Sequence, residues 1–372
     1  MTSLSLGTGD IRAIETPALL LDLDVVERNL ERMAARAKQL GVQLRPHAKT
    51  HKCPELGRRQ LALGAVGLTV ATLAEAEAFA DAGVQDLTWA FPIDPTHIVH
   101  AQRIAARPQV TLRVVTDDLE TVQALGGSGL HVWLKVDCGT HRAGVDPTSA
   151  YAIRVARELA REDGLVFDGI LTHSGHAYKT YNREEAAAVA EEERLVMVQF
   201  AQRLGVAGIA VRAISVGSTP AMAAAADLTG VTEARPGNYV FYDRTMVLIG
   251  CCEPQDVGVT VLASVVSHQP GADHLVIDAG ALALSKDPGP THLDDLAPSF
   301  GDIRGHHALH VASLSQEHGV VRGSRRALRE LKVGDRIEIV PNHSCLTVAC
   351  FDDYHVMRDG REIDRWNIRR ER

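Results

Sequence analysis

Cysteine is scarce in this chain, with six among 372 residues. They stand at Cys53, Cys138, Cys251, Cys252, Cys345 and Cys350, a spacing that resembles no disulfide framework. The expected setting is cytoplasmic, with most of them free and buried. No apolar run approaches the roughly 20 residues of a membrane span. The first residues, MTSLSLGTGD, have neither a basic start nor a hydrophobic segment, so no signal peptide is expected. Positive charge is not in excess either. The net charge of -8 and a pI near 6.1 argue against a general nucleic-acid binder. Aromatics are sparse at 4%. No GxGxxG follows a first strand, which weakens a dinucleotide-binding reading.

What is present is alternation. Residues 18–23 form a short apolar strand candidate, after a loose arm over 1–16. Asp24 is a candidate N-cap with Glu27 at the third helical position. Leu30, Met33, Ala37 and Leu40 follow at helical spacing, and Gly41 stops that helix. Strand candidates then lie at 42–45, 66–70, 86–90, 111–115, 131–136, 167–173, 210–216 and 229–233. Helix candidates at 73–82, 95–105, 148–161 and 183–204 separate several of them. The first half of 183–204 is acidic and so predicted to face solvent. Eight strands separated largely by helices predict a (β/α)8 barrel, with a doubly wound open sheet as the alternative.

After about residue 237 the pattern changes. Strand candidates at 257–268, 274–278, 309–314, 336–340, 347–350 and 354–358 are joined by turns rather than long helices. A Pro- and Gly-rich loop is expected at 288–302. The predicted organisation is a barrel over 24–245 and a mostly β domain built from 1–23 and 246–372.

Polar residues collect where barrel strands end, which is the ligand side of such a barrel. Lys49 follows the first strand in the basic stretch RPHAKTHK (45–52). Pro46 disfavours a helix running through it. A lysine there is either part of a solvated turn or, if desolvated, an amine nucleophile able to carry a carbonyl cofactor. Arg142 either faces a ring nitrogen or carboxylate or makes a structural ion pair. His173 either stacks on a flat cofactor or is a satisfied buried histidine. Tyr178 is a proton donor or a pocket wall. Gly217, Ser218 and Thr219, and likewise Gly237, Asn238 and Tyr239, offer N–H and hydroxyl groups to a phosphate, though such turns are usually structural. His343 and Cys345 stand two apart. On extended backbone both point to one face, as a partial site for a borderline-soft ion such as zinc.

In this order and spacing, RPHAKTHK, WLKVDCGTHRAGV, ISVGSTP, ARPGNYVFYD and PNHSCLT resemble the fold-type III pyridoxal phosphate enzymes of the D-serine dehydratase and D-threonine aldolase group. The likeness covers about residues 16–369. It implies an alanine racemase-like barrel with a β domain, a homodimer, and a site between barrel mouth and second domain. It also implies pyridoxal 5'-phosphate on Lys49, Arg142 near the pyridine nitrogen, and phosphate-side loops at Gly217–Thr219 and Gly237–Tyr239. The metal ligands would be His343 and Cys345, holding zinc, with cobalt or manganese as substitutes. The histidine–cysteine pair and GNYVFYD favour the dehydratase branch, since the aldolase branch typically pairs histidine with aspartate. The implied reaction is dehydration of a 3-hydroxy-D-amino acid such as D-serine, D-threonine or D-threo-3-hydroxyaspartate to a 2-oxo acid and ammonia. Retro-aldol cleavage to glycine and an aldehyde is the alternative, with His318 or His176 as the base. A racemase or a non-catalytic pyridoxal phosphate carrier fits less well, given a metal pair and a large second domain.

Overall fold

The computed structural model describes residues 11–293 and 298–370. Strand β1 (Ala18–Asp22) runs without a loop into the helix Leu23–Gln39. The cap is therefore Asp22, whose Oδ1 accepts the Val25 N–H at 3.1 Å, and not Asp24. Gly41, at a φ of +69°, ends the segment in the left-handed region that favours glycine.

The chain divides into two units. Leu30–Gly237 holds an eight-stranded parallel sheet. Its strands are β2 (Gln43–Leu44), β3 (Leu68–Val70), β4 (Asp86–Pro92), β5 (Thr111–Thr116), β6 (His131–Lys135), β7 (Val166–Leu171), β8 (Ala213–Val216) and β9 (Glu233–Ala234). Their order, β2-β9-β8-β7-β6-β5-β4-β3, is that of a wound barrel. The two ends of the sheet meet. Thr69 N–H donates to Pro46 O at 2.8 Å, and Thr69 Oγ1 donates to Arg45 O at 3.0 Å. Seven of the eight strand expectations are met in place, within a few residues at their ends; the eighth, expected at 229–233, falls at Glu233–Ala234 and shares one residue with it. Val115, Trp133 and Leu171 pack together as one buried cluster.

Several helices between strands start on side-chain caps, which satisfy N–H groups that have no partner inside the helix. Thr72 caps Leu73–Asp81, Asp118 caps Leu119–Ala124, Ser149 caps Ala150–Arg161 and Asn182 caps Arg183–Val206. The short helices Pro54–Ala62, Leu119–Ala124 and Thr219–Ala224 go beyond the sequence expectation. The acidic start of Arg183–Val206 is largely exposed, with one exception: Glu193 is only 2% exposed.

The second unit joins the described part of Met1–Asn29 to Asn238–Arg370. Its strands are β10 (Val259–Ser267), β11 (His274–Ile277), β12 (Gly301–Ile303), β13 (Leu309–Leu314), β14 (Gly319–Gly323), β15 (Arg336–Pro341), β16 (Asp353–Arg358) and β17 (Arg361–Asn367). The sheet order is β11-β14-β13-β12-β15-β10-β1-β16-β17, and a β10–β11 pairing closes six of these strands on themselves. β1 joins this sheet, antiparallel to β10 and parallel to β16.

Three expectations need correction. Residues 347–350 are not a strand: Ser344–Val348 is a short helix, because Leu346 and Thr347 turn their N–H groups back to His343 O at 3.2 and 3.1 Å. The 288–302 loop ends in β12, which pairs with β15 and β13; residues 294–297 of it lie outside the described residues. Of the arm over 1–16, residues 1–10 lie outside them too, while Ile11–Ala13 forms a 3₁₀ turn and Ile14 packs into a buried cluster with Leu20, Leu262 and Met357.

Candidate active site

Lys49 sits in a single 3₁₀ turn, Ala48–Thr50, just past β2. His47 begins the turn, and its Nδ1 accepts the Lys49 N–H at 3.4 Å. The turn packs tightly against the segment after β9. A Cβ added to Gly237 would stand 2.9 Å from both His47 O and Thr50 Oγ1. No side chain fits there, which accounts for the glycine. Below the turn, buried Arg45 pairs with Glu233 at 2.8 Å and also with Asp86, tying β2 to β9 and β4. Of the other unassigned basic residues, Lys52 pairs with Glu75, and His51 contacts Gln60 at 3.2 Å. They build the turn's support.

Lys49 belongs to a concentration of buried positive charge. Burial pushes His47 and His173 well below the usual imidazole range, and Lys49 and Arg235 add to it in both, with Lys135 also acting on His173. His173 Nδ1 donates to Gly217 O at 3.3 Å, so a neutral ring lies with its centroid 6.5 Å from that of Tyr178. Lys135, at the end of β6, is 6% exposed. Burial, with Arg235 and Arg142, lowers its pKa to about 7. Arg235 is drawn down to about 10 by burial, and its guanidinium bonds Ser215 Oγ and Thr172 O. Such a cluster of buried cations fits an anionic, phosphate-bearing group, whose charge would offset the mutual repulsion.

The predicted phosphate turn is more committed than its sequence suggests. Gly217 N–H already donates to Glu193 Oε1 at 3.0 Å. Ser218 Oγ caps the helix Thr219–Ala224 through Ala221 N–H at 3.4 Å and lies 3.2 Å from Ser174 Oγ. Thr219 is fully buried. Arg142 is exposed, on the loop that Asp137 organises through Gly139 and His141 N–H groups. His176 Nδ1 lies 3.3 Å from Thr140 Oγ1, and its Nε2 is buried without a partner.

In the β unit, His343 and Cys345 do not share a strand. His343 is extended, at φ -141° and ψ 98°, and begins the helix Ser344–Val348, so Cys345 occupies that helix's first turn. The two side chains nevertheless interact. Asp287 Oδ2 accepts from His343 Nδ1 at 2.9 Å, which leaves Nε2 as the ligand-capable nitrogen. Burial opposes charge on His343, but Asp287, Cys345 and Asp243 outweigh it and push its pKa up to about 11. Asp243, fully enclosed, accepts Ser344 N–H at 3.0 Å and Asn238 Nδ2 at 2.7 Å. Asn238 thus spends its amide on the segment carrying His343 and Cys345, and Tyr239 beside it is buried. Among the described residues, no group of three or more His, Cys, Asp and Glu side chains is arranged to hold a metal. A histidine nitrogen, a cysteine sulfur and a carboxylate behind the histidine fit a borderline-soft ion with open positions. His318 is exposed on the bend between β13 and β14. None of the six cysteines is in a disulfide, and three of them are buried.

Residues 21–245 match the model for the alanine racemase N-terminal domain, and residues 258–357 match a putative serine dehydratase domain. The chain belongs to this alanine racemase-fold, serine dehydratase-like family. It is 35% identical to the D-threo-3-hydroxyaspartate dehydratase of Delftia sp. strain HT23, over 95% of this chain and 97% of that one. It is also 35% identical to the D-serine dehydratase of Dictyostelium discoideum, over 95% and 96%. A D-threonine aldolase from Arthrobacter sp. is 32% identical over 95% and 92%. The solved Delftia dehydratase superposes with a TM-score of 0.92 at 34% identity, covering 96% of this chain and 98% of that one. A variant of D-threo-3-hydroxyaspartate dehydratase with one cysteine changed to alanine is known in a metal-free form.

Sequence reasoning missed Lys135, Glu193, Asp243 and Asp287. Lys135 had a signal, a lysine closing the apolar strand His131–Lys135. Glu193 had none, being one of several acids on an acidic helix. Asp287 lies 56 residues from His343, and no local pattern joins them.

Proposed function

We propose that this chain is a pyridoxal 5'-phosphate- and zinc-dependent dehydratase (an ammonia-lyase) that converts a 3-hydroxy-D-amino acid to its 2-oxo acid and ammonia. D-Serine, D-threonine and D-threo-3-hydroxyaspartate are the candidate substrates. The observation that carries the reading is the presence, in one family member, of a lysine turn set in buried positive charge and of a histidine–cysteine pair backed by Asp287. Both relatives at 35% identity bear dehydratase names.

When bound, pyridoxal phosphate supplies an electron sink for the pair left at Cα, and zinc supplies Lewis acidity toward the departing hydroxyl. Lys49 Nζ would hold the cofactor through its carbonyl carbon and would serve as the base for the Cα proton. Arg142 would sit near the ring nitrogen, where a guanidinium, which stays protonated in proteins, would donate no proton. His173 presents a neutral ring, and Tyr178 closes the pocket wall beside it. Ser218 and Thr219, with the backbone of the Gly237–Tyr239 segment, would hold the phosphate. His343 Nε2 and Cys345 Sγ would hold the ion, with Asp287 fixing the imidazole's tautomer. Loss of the α-proton and the β-hydroxyl releases water and an enamine, which hydrolyses to the 2-oxo acid and ammonia without any redox change. Cobalt and manganese are alternative ions at such an incomplete site.

The family likeness supports a homodimer, and the cysteines, none in a disulfide and half of them buried, suit a reducing cytoplasm. Among the described residues no helix is long and apolar enough to cross a membrane. The 32% identity to a D-threonine aldolase keeps retro-aldol cleavage as the second reading. Incubation with D-threonine separates them. The proposal expects 2-oxobutanoate and ammonia; glycine and acetaldehyde as the products would overturn it.

A further inference from the structure

Glu193 is the carboxylate that the helix Arg183–Val206 buries. It reaches the ends of two barrel strands. Its Oε1 accepts Gly217 N–H at 3.0 Å, and its Oε2 accepts the Ser174 hydroxyl at 2.9 Å. Ser174 Oγ lies 3.2 Å from Ser218 Oγ. A hydroxyl has one proton to donate and two lone pairs. With Glu193 ionised, Ser174 gives its proton to the carboxylate. Ser218 must then be the donor in the Ser218–Ser174 contact, and its proton points inward. Its bond from Ala221 N–H uses a lone pair and leaves that count unchanged. With Glu193 protonated, the whole chain reverses. The carboxyl donates to Ser174, Ser174 donates to Ser218, and the Ser218 proton is released toward whatever binds at the Gly217-Ser218-Thr219 turn.

We infer that Glu193 is a positioning residue whose protonation sets the direction of this hydrogen-bond chain, and so decides whether Ser218 donates to a bound phosphate. The inference rests on the phosphate reading of that turn given above. The groups facing Glu193 are Arg235 and His176, which favour its charge, with Lys135 and Cys138 also within electrostatic reach. Burial outweighs them and raises its pKa above the ordinary carboxyl value. An arriving phosphate dianion pushes in the same direction. Binding therefore takes up a proton, and affinity falls as pH rises.

The test uses pyridoxine 5'-phosphate, which has the cofactor's ring and phosphate but no aldehyde for Lys49. It is titrated into apoenzyme across a pH series, reading Kd for wild type, Glu193→Gln and Ser174→Ala. Glutamine keeps an acceptor for Gly217 N–H and donates permanently to Ser174, so it mimics the protonated state. The ligand's own ionisation is common to all three proteins and cancels in the ratio of their Kd values. Wild type is expected to weaken relative to Glu193→Gln by up to about tenfold per pH unit once Glu193 ionises. Ser174→Ala, which cuts the relay but keeps the Gly217 bond, is expected to lose most of that dependence. Parallel wild-type and Glu193→Gln curves, or a full wild-type dependence surviving in Ser174→Ala, overturn the inference alone. Absence of wild-type binding at every pH overturns the cofactor reading, and the inference falls with it.

Discussion

Replacing Arg45 with methionine tests whether the lysine turn depends on the ion pairs beneath it. Arg45 Nε donates to Glu233 Oε2 at 2.8 Å, and both side chains are 5% exposed. Removing one partner of a buried pair costs about 3–5 kcal/mol, mostly through the charge left behind. Here two features soften the loss. Glu233 keeps the Ser215 hydroxyl at 2.6 Å. Asp86, at 30% exposed, keeps both water and Arg113. The expected cost is therefore at the low end, about 3 kcal/mol. The assay is urea unfolding of the holoenzyme followed by tryptophan fluorescence in a Trp366→Phe background. Trp89 and Trp133 then remain, both in the barrel unit. Arg45→Met with Glu233→Met should recover more than half of the loss, because no orphaned carboxylate remains. The pH dependence has a definite sign. Burial works against ionised Glu233, but Arg45, Ser215 and Arg235 outweigh it and hold its pKa below the ordinary 4.5. Stability from a depressed carboxyl is present above its unfolded pKa and disappears as pH falls through the folded one. The gap between wild type and Arg45→Met should thus narrow in acid. A single-variant cost under about 1 kcal/mol, or a double variant no more stable than the single, would refute the reasoning.

Lys49→Ala is expected to lose the visible absorbance of the lysine-linked cofactor; a variant that retains that band removes Lys49 from its role. Asp287→Ala should weaken zinc affinity about 10–100-fold, read by competition with a chromophoric chelator, because His343 loses the carboxylate that orients its ring. An unchanged zinc Kd would show that the contact is incidental. Cys345→Ala should purify with little zinc and a normal far-ultraviolet spectrum, and zinc retained at wild-type stoichiometry would exclude Cys345 as a ligand.

The barrel was legible because its signals are local. Parallel strands buried on both faces read as short apolar runs, whereas the caps Thr72, Asp118, Ser149 and Asn182 became evident only in the structure. Boundaries failed where a local motif had two readings. The Leu346, Thr347 and Val348 run has strand-like composition, yet turns as a helix that accepts its start from His343 and is steadied by Asp243 on Ser344 N–H. Asp22 and Asp24 both suit a cap; what chose Asp22 was the strand running straight into the helix.

The sequence by itself determined the order of the barrel strands, the lysine segment past the first of them, and the nearness in sequence of His343 and Cys345. Those features rest on spacing along the chain, and spacing is what a sequence states directly. Only the tertiary structure decided which charges are buried together. Lys135 and Arg235 become electrostatic neighbours, Glu193 becomes the acceptor beneath Gly217, and Asp287 becomes the partner of His343 when the strands and loops carrying them pack together. The reason is that burial and hydrogen-bond distance are properties of the folded chain, set by residues tens of positions apart. For that reason a sequence can nominate Lys49 and His343, but it cannot name the groups that tune them.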